Sequence, residues 1–164
     1  MYIYTVAANL QPGSSIPYEK VYDLGATMAD TFKVEYPILF SQCDPAGIVF
    51  FPRFFELVHQ AMEDWFTHGL GERFADLIMK RRLGIPTVAT KTQFLNPARL
   101  GDLLRIELSI LKIGSSSLTL AINSFIGERP CFRVEHTICL FSHESQRPVP
   151  VPEDLRQRME RFVA

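Results

Sequence analysis

Residues 43–56 read Cys43-Asp44-Pro45-Ala46-Gly47-Ile48-Val49-Phe50-Phe51-Pro52-Arg53-Phe54-Phe55-Glu56, and they join a tight turn to the start of a helix. Asp44, Pro45 and Gly47 fill the i, i+1 and i+3 positions of a type I turn. Pro52 suits the first helical position, where its missing N–H would be an orphan anyway, and that reading puts Phe51 at the cap. A phenylalanine cannot cap, so the N–H groups of the first turn stay open to a ligand oxygen, and the helix dipole favours negative charge there. A carboxylate, a tight turn and uncapped helix donors together suit attack on a carbonyl and stabilisation of the resulting oxyanion. Taken alone, an Asp-Pro-x-Gly turn is more often structural than catalytic, and Ile48-Val49-Phe50-Phe51 is more often core than pocket.

Working outward, Phe54, Leu57, Val58, Ala61, Met62 and Trp65 fall at spacings of three and four, which predicts a helix of about four turns over Arg53–Phe66, with Gly69 beyond its end. A shorter helix is expected over Glu72–Arg82, closing at Gly84, with Arg81 and Arg82 complementing the dipole at its end. Upstream, Thr31–Phe40 alternates apolar and polar residues before Pro37 bends it or confines it to an edge. Downstream, alternation and β-branched content predict strands near Thr87–Leu95, Leu103–Ile113, Leu118–Phe125 and Phe132–Phe141. Pro148 to Pro152 then end the sheet, and Pro152 opens a last amphipathic helix. The order is strand, long helix and a run of antiparallel-type strands, which is an α+β layout with one helix against one sheet.

The chain has 164 residues, 47% of them apolar, enough for one domain with a sizeable core. Residues 1–29, with a turn at Pro12–Ser15, read as an appended N-terminal arm, and the domain as 30–164. Seventeen basic residues against 18 acidic give a formal charge of −1, so nucleic acid and anionic membrane surfaces are not expected partners. No apolar run reaches the roughly 18–20 residues of a membrane span, and no signal-peptide pattern opens the chain, so a cytoplasmic protein is expected. Cys43, Cys131 and Cys139 are odd in number and lack a C-x-x-C spacing, and the four histidines have no metal-ligand spacing. Reduced thiols and no metal are expected. Neither a G-x-S-x-G elbow, a P-loop nor a dinucleotide fingerprint is present.

The longer segment F-S-Q-C-D-P-A-G-I-V-F-F-P-R-F-F-E, Phe40 to Glu56, resembles the active-site signature of the hot-dog-fold thioesterases of the 4-hydroxybenzoyl-CoA thioesterase family, in which D-x-D-x-x-G-x-V-x-(aromatic or His) leads into the central helix. G-I-P-T-V-A-T-K-T-Q-F-L-N-P-A-R-L-G-D-L-L-R-I, Gly84 to Ile106, is similar to the family's next strand, polar bend and following strand. V-P-V-P-E-D-L-R, Val149 to Arg156, resembles its closing helix. The likeness runs from about Phe32 to the C-terminus. It implies an antiparallel sheet wrapped around the long helix, and protomers that join sheets as a homodimer or homotetramer with active sites at the interface. It also implies an acyl-CoA substrate, with coenzyme A entering only as part of that substrate and no separate cofactor.

By position, the resemblance gives Asp44 the role of catalytic carboxylate, as nucleophile or general base, and gives the Gly47–Phe51 segment the backbone N–H that polarises the thioester carbonyl. An apolar acyl pocket is expected from Phe50, Phe54 and the strand at Pro86, Thr87 and Val88, with His59 its polar contact. Coenzyme A phosphates are expected at Lys112 and the Ser115-Ser116-Ser117 hairpin, helped by Arg99 or Arg105 of a partner chain. Three positions depart from the family type. Phe51 replaces a Tyr or His at the helix start, His59 stands where the aromatic-specific enzyme has a carboxylate, and the hairpin keeps only Lys112 of a basic cluster. A lone mid-helix histidine such as His59 is more often a core residue, Cys43 more often packs than attacks, and Gly114–Ser117 is more often a turn than a phosphate nest. The rival readings are a hot-dog hydratase or dehydratase and a non-hydrolytic acyl-thioester-binding protein.

Overall fold

Strict alternation along Leu104, Ile106, Leu108 and Ile110, all fully buried, with Arg105, Glu107 and Ser109 between them, fixes one face of a strand against a core. A computed structural model describes residues 30–164; the arm expected over 1–29 lies outside the described residues. The elements in chain order are β1 (Phe32–Pro37), a 3₁₀ turn (Phe40–Gln42), α1 (Phe51–Asp64), a π-helical turn (Trp65–Gly69), α2 (Phe74–Met79), β2 (Leu83–Gly84), β3 (Thr87–Phe94), β4 (Leu103–Ile113), β5 (Ser117–Ile126), β6 (Arg129–Cys139), β7 (Phe141–Ser142), β8 (Arg147–Pro148) and α3 (Glu153–Glu160). Five strands form one antiparallel sheet in the order β1-β4-β5-β6-β3. Registers such as Tyr36↔Leu104, Leu108↔Ile122 and Ile122↔Val134 keep the inward residues aligned across it.

The apolar stripe of α1, made of Phe54, Leu57, Val58, Ala61 and Met62, faces this sheet. Phe54 meets Phe132 edge to face with ring centroids 4.8 Å apart and lies tilted against Phe94 at 5.5 Å. The helix is pinned near its far end by Tyr36, whose hydroxyl donates to the Asp64 carboxylate; burial and then that carboxylate hold the phenol protonated well above its ordinary range. Trp65 and Phe66, both fully buried, sit in the π turn.

Several expected boundaries shift for local reasons. The central helix starts two residues before Arg53, and the chain leaves α geometry at Trp65 instead of running on to Phe66. The second helix covers only Phe74–Met79, with Lys80 at its C-cap and Arg82 in a left-handed φ of 55° beyond it. Arg81 does not cap it but bonds Glu72 and Asp154, and Arg158 joins the same two carboxylates, tying this region to α3. β1 stops at Pro37, which cannot extend the ladder. The small β2-β7-β8 sheet has strands of two residues each, too short to leave a periodic signal. Among the described residues no helix is long and apolar enough to cross a membrane.

Candidate active site

The turn at Asp44 closes as its residue types require. Gly47 N–H donates to the Asp44 carbonyl at 2.9 Å, Ala46 N–H donates to Asp44 Oδ1 at 2.8 Å, and Asp44 N–H donates to the Ile48 carbonyl at 2.9 Å. Gly47 has φ +73°, a left-handed conformation that costs a residue with a Cβ. A second layer of main-chain bonds docks the loop on the bend after β3: Val49 N–H to the Ala98 carbonyl at 2.9 Å and Leu100 N–H to the Gly47 carbonyl at 3.1 Å. The half-buried Asp44 carboxylate is thereby fixed in direction, and among the described residues no lysine or arginine pairs with it.

The helix opens immediately beyond. Phe50 occupies the cap, Phe51 the first helical position and Pro52 the second, one residue earlier than the proline alone indicated, and the Phe50 side chain makes no cap hydrogen bond. Within the Gly47–Phe51 segment, the N–H groups of Gly47, Val49 and Phe50 are engaged with the Asp44, Ala98 and Gln42 carbonyls. The Cys43 thiol donates to the Leu39 carbonyl at 3.6 Å.

The expected pocket residues divide. Phe54 is core, while Phe50 and Phe51 are exposed and meet edge to face at 5.3 Å. Pro86 and Val88 are exposed on the edge-strand side, with the Pro86 carbonyl accepting from Cys139 N–H. His59 and Thr87 do meet, in the wall of a cavity of about 300 Å³ between α1, β3 and β6. Phe55, Val58 and Met62 supply its apolar side, and Thr90 and His136 complete its polar side. His59 is half-exposed, with Nε2 3.2 Å from Glu63 Oε1, so it is not a sequestered core histidine. From Phe51 to His59 the helix rises about 12 Å at 1.5 Å per residue, so the cavity lies further along the helix whose start follows the Asp44 loop.

The phosphate candidates fall at two ends of the fold. Arg99 bridges to Ile48, beside the Asp44 loop, and Arg105 is held by Glu107 at 3.1 Å and lies over the Phe125 ring. Lys112, near the end of β4, and Ser115–Ser117, which lead into β5, lie at the opposite end of β4, whose 11 residues span roughly 35 Å at about 3.4 Å each. In one protomer, then, the hairpin cannot serve that protomer's Asp44. Gly114 N–H bonds the Ser117 carbonyl at 2.7 Å, and the Ser115 and Ser116 carbonyls accept from Val151 and Leu140, the bonding of a hairpin docked on its neighbours.

A family model described as the thioesterase-like superfamily matches residues 38–159. The chain belongs to the thioesterase-like superfamily. Within it, the chain is 29% identical over 118 residues to the 1,4-dihydroxy-2-naphthoyl-CoA hydrolase of Thermosynechococcus vestitus, covering 71% of this chain and 80% of that protein. It is 32% identical over 84 residues to the 4-hydroxybenzoyl-CoA thioesterase of a Pseudomonas species, covering 51% and 60%. The crystal structure of a 1,4-dihydroxy-2-naphthoyl-CoA thioesterase from Synechocystis superposes with a TM-score of 0.71 at 21% identity, covering 79% of this chain and 96% of that one, and shows the same hot-dog fold.

Of the cavity lining, the acyl-pocket expectation missed Phe55, Val58, Met62, Thr90 and His136, and of these His136 is the titratable one. It occupies the inward phase of β6 with Phe132, Val134 and Ile138. A polar side chain at an inward position of an alternating strand was the available signal. Its Nε2 lies 3.2 Å from Thr87 Oγ1, and burial, then His59, push its imidazole below the ordinary histidine range.

Proposed function

We propose that the protein hydrolyses acyl-CoA thioesters with an aromatic or medium hydrophobic acyl group, using Asp44 as nucleophile or general base. The observation that carries this is the Asp44 turn abutting an uncapped helix start, with a mostly apolar cavity opening along the same helix. As nucleophile, an Asp44 oxygen adds to the thioester carbon, the C–S bond breaks, coenzyme A leaves as thiolate, and water hydrolyses the mixed anhydride to regenerate the carboxylate. As base, Asp44 takes a proton from the water whose oxygen adds. Both routes develop an oxyanion, and a donor at the helix start near Phe51 would lower the barrier by about 2.7–4 kcal/mol. Neither route needs a metal or a further cofactor.

The site works within a homodimer or homotetramer. The support is β3, which among the described residues is an edge strand with Val88 62% and Phe94 42% exposed and one side of its ladder unpaired, a kind of edge that proteins cover. Assembly also brings a partner's Lys112 and Ser115–Ser117 within range of phosphates held on the other side by Arg99 or Arg105. Three free thiols suit a cytoplasmic setting.

Thiol release over a panel of acetyl, medium-chain and aroyl-CoAs tests the reading. Asp44→Asn and Asp44→Ala should lower turnover by orders of magnitude while circular dichroism stays that of the parent. Near-normal turnover by a folded variant would remove Asp44 from the chemistry, and a preference for acetyl-CoA would overturn the apolar pocket.

A further inference from the structure

Among the described residues, the non-glycine positions with a left-handed backbone are Arg82 and Gln146, each with φ 55°. Both belong to the small β2-β7-β8 sheet, Arg82 leading into β2 and Gln146 in the turn between β7 and β8. A side chain with a Cβ enters this region at a cost, and such residues gather where a fold holds a group in a required place. The turn is fixed by its own bonds: Gln146 N–H donates to the Ser142 carbonyl at 2.9 Å, and Gln146 Nε2 donates to the His143 carbonyl at 2.6 Å.

What this corner gathers is two arginines and a histidine. His143 N–H donates to the Arg82 carbonyl at 2.9 Å, and Arg147 stands opposite Ser142, which stands opposite Leu83, so Arg82, His143 and Arg147 come together across three short strands. The imidazole is seated over Gly84, where a Cβ would lie 2.7 Å from its Nε2. Arg81, one residue before Arg82, is neutralised by Glu72 and Asp154. Among the described residues the side chains of Arg82, His143 and Arg147 have no hydrogen bond and no ion pair, and the one carboxylate of the turn, the exposed Glu144, pairs with none of them. Like charges gathered without a counter-charge repel, so an entering anion stabilises the arrangement.

We propose that Arg82, His143 and Arg147 form a binding site for a phosphate monoester. Two guanidinium groups match its two negative charges, and with the imidazole N–H they supply donors to its three terminal oxygens. A carboxylate, with one charge and two oxygens, would leave one arginine unmatched. The sheet lies beside the Ser115–Ser117 hairpin, Leu140 N–H donating to the Ser116 carbonyl at 2.7 Å, and at the Thr87 end of β3, where Cys139 N–H donates to the Pro86 carbonyl at 3.1 Å. Two sources carry this group: the 3′-phosphate at the nucleotide end of a coenzyme A thioester, or a free nucleotide acting from outside the catalytic site. The first source rests on the thioesterase reading above, and the second is independent of it.

The full chain is titrated calorimetrically with adenosine 3′,5′-bisphosphate. The parent should bind it, more weakly as salt is raised, and Arg82→Gln/Arg147→Gln should lose about tenfold or more in affinity. Lys33→Gln/Arg73→Gln, which removes the same two charges elsewhere, should keep the parent's affinity, and circular dichroism should show every variant folded. Gly84→Ala, which displaces the imidazole without removing a charge, should also weaken binding. If the source is the thioester, coenzyme A should bind more tightly than its 3′-dephospho form, the difference should vanish in Arg82→Gln/Arg147→Gln, and that variant should raise KM for an acyl-CoA with kcat unchanged. If the source is a free nucleotide, the bisphosphate should bind as well with a saturating coenzyme A thioether present as without it. No binding by the parent, or equal binding by the parent and Arg82→Gln/Arg147→Gln, would overturn the proposal. If the bisphosphate binds as stated while no acyl-CoA releases thiol, the hydrolytic reading fails and the phosphate site stands.

Discussion

Replacing Gly47 with alanine isolates what the Asp44 turn contributes. Gly47 has φ +73°, and a Cβ built there meets no atom within 4 Å, so the substitution costs conformation and not contact. Holding an L-residue with a Cβ in the left-handed region costs roughly 1–2 kcal/mol. The residue cannot escape by changing φ, because its N–H is bonded to the Asp44 carbonyl and its carbonyl to Leu100 N–H, and losing both bonds would cost a similar amount at about 0.5–1.5 kcal/mol each. Gly127→Ala is a matched control, also at positive φ (57°) and also open, in the turn between β5 and β6. Both variants should melt about 2–8 °C below the parent by calorimetry. Only Gly47→Ala should also lose thioesterase activity at 25 °C, because its strain falls on the turn that aims Asp44. Gly47→Asn should be milder, since asparagine enters this region more readily. Equal turnover by Gly47→Ala and Gly127→Ala would refute the claim that this turn sets the position of the carboxylate.

Two further outcomes follow from packing and charge. Gly69→Ala would place its Cβ 2.6 Å from Trp65 Cδ1 and 3.3 Å from Phe32 Cδ2, and the fully buried indole has no room to retreat from Phe66 and Phe162; a loss of about 1–3 kcal/mol, read as a lower melting temperature, should result. Asp154 is held down to about 2 by the hydrogen bond from Arg81, reinforced by Arg158. Its folded value lies below its unfolded one, so its contribution is complete above about pH 4 and is lost as pH falls toward 2. Asp154→Asn should flatten the acid limb of a stability-against-pH curve in that window, by about 1 kcal/mol or less because the carboxylate is half-exposed; an unchanged acid limb would show that other groups govern it.

The parts of the fold legible in the sequence were those that repeat a period. β4 is bounded as its alternation indicates, Leu103–Ile113, and α1 presents the stripe its spacing requires. The Asp44 turn was equally legible, because aspartate, proline and glycine each demand a different conformation and together leave one solution. What escaped was whatever depends on a partner distant in sequence. The cavity wall takes Thr87 and Thr90 from β3 and His136 from β6, brought together only by sheet register. The separation of the Ser115–Ser117 hairpin from Asp44 likewise follows from the length of β4, which residue types do not announce. The π turn at Trp65–Gly69, which carries the fully buried Trp65 and Phe66, has no counterpart in the helical spacing of the sequence.

The loop bearing Asp44 is docked almost wholly by main-chain hydrogen bonds, from Val49 to Ala98, from Leu100 to Gly47 and from Phe50 to Gln42. Main-chain groups are common to nearly every amino acid, so this frame survives substitution at most of the residues that make it. The cavity is the reverse case, since its volume and polarity belong to side chains on three separate elements. Replacements in α1, β3 and β6 can therefore reshape the cavity while the frame of the Asp44 loop is kept, so that tolerance to substitution is divided between main chain and side chain within one polypeptide.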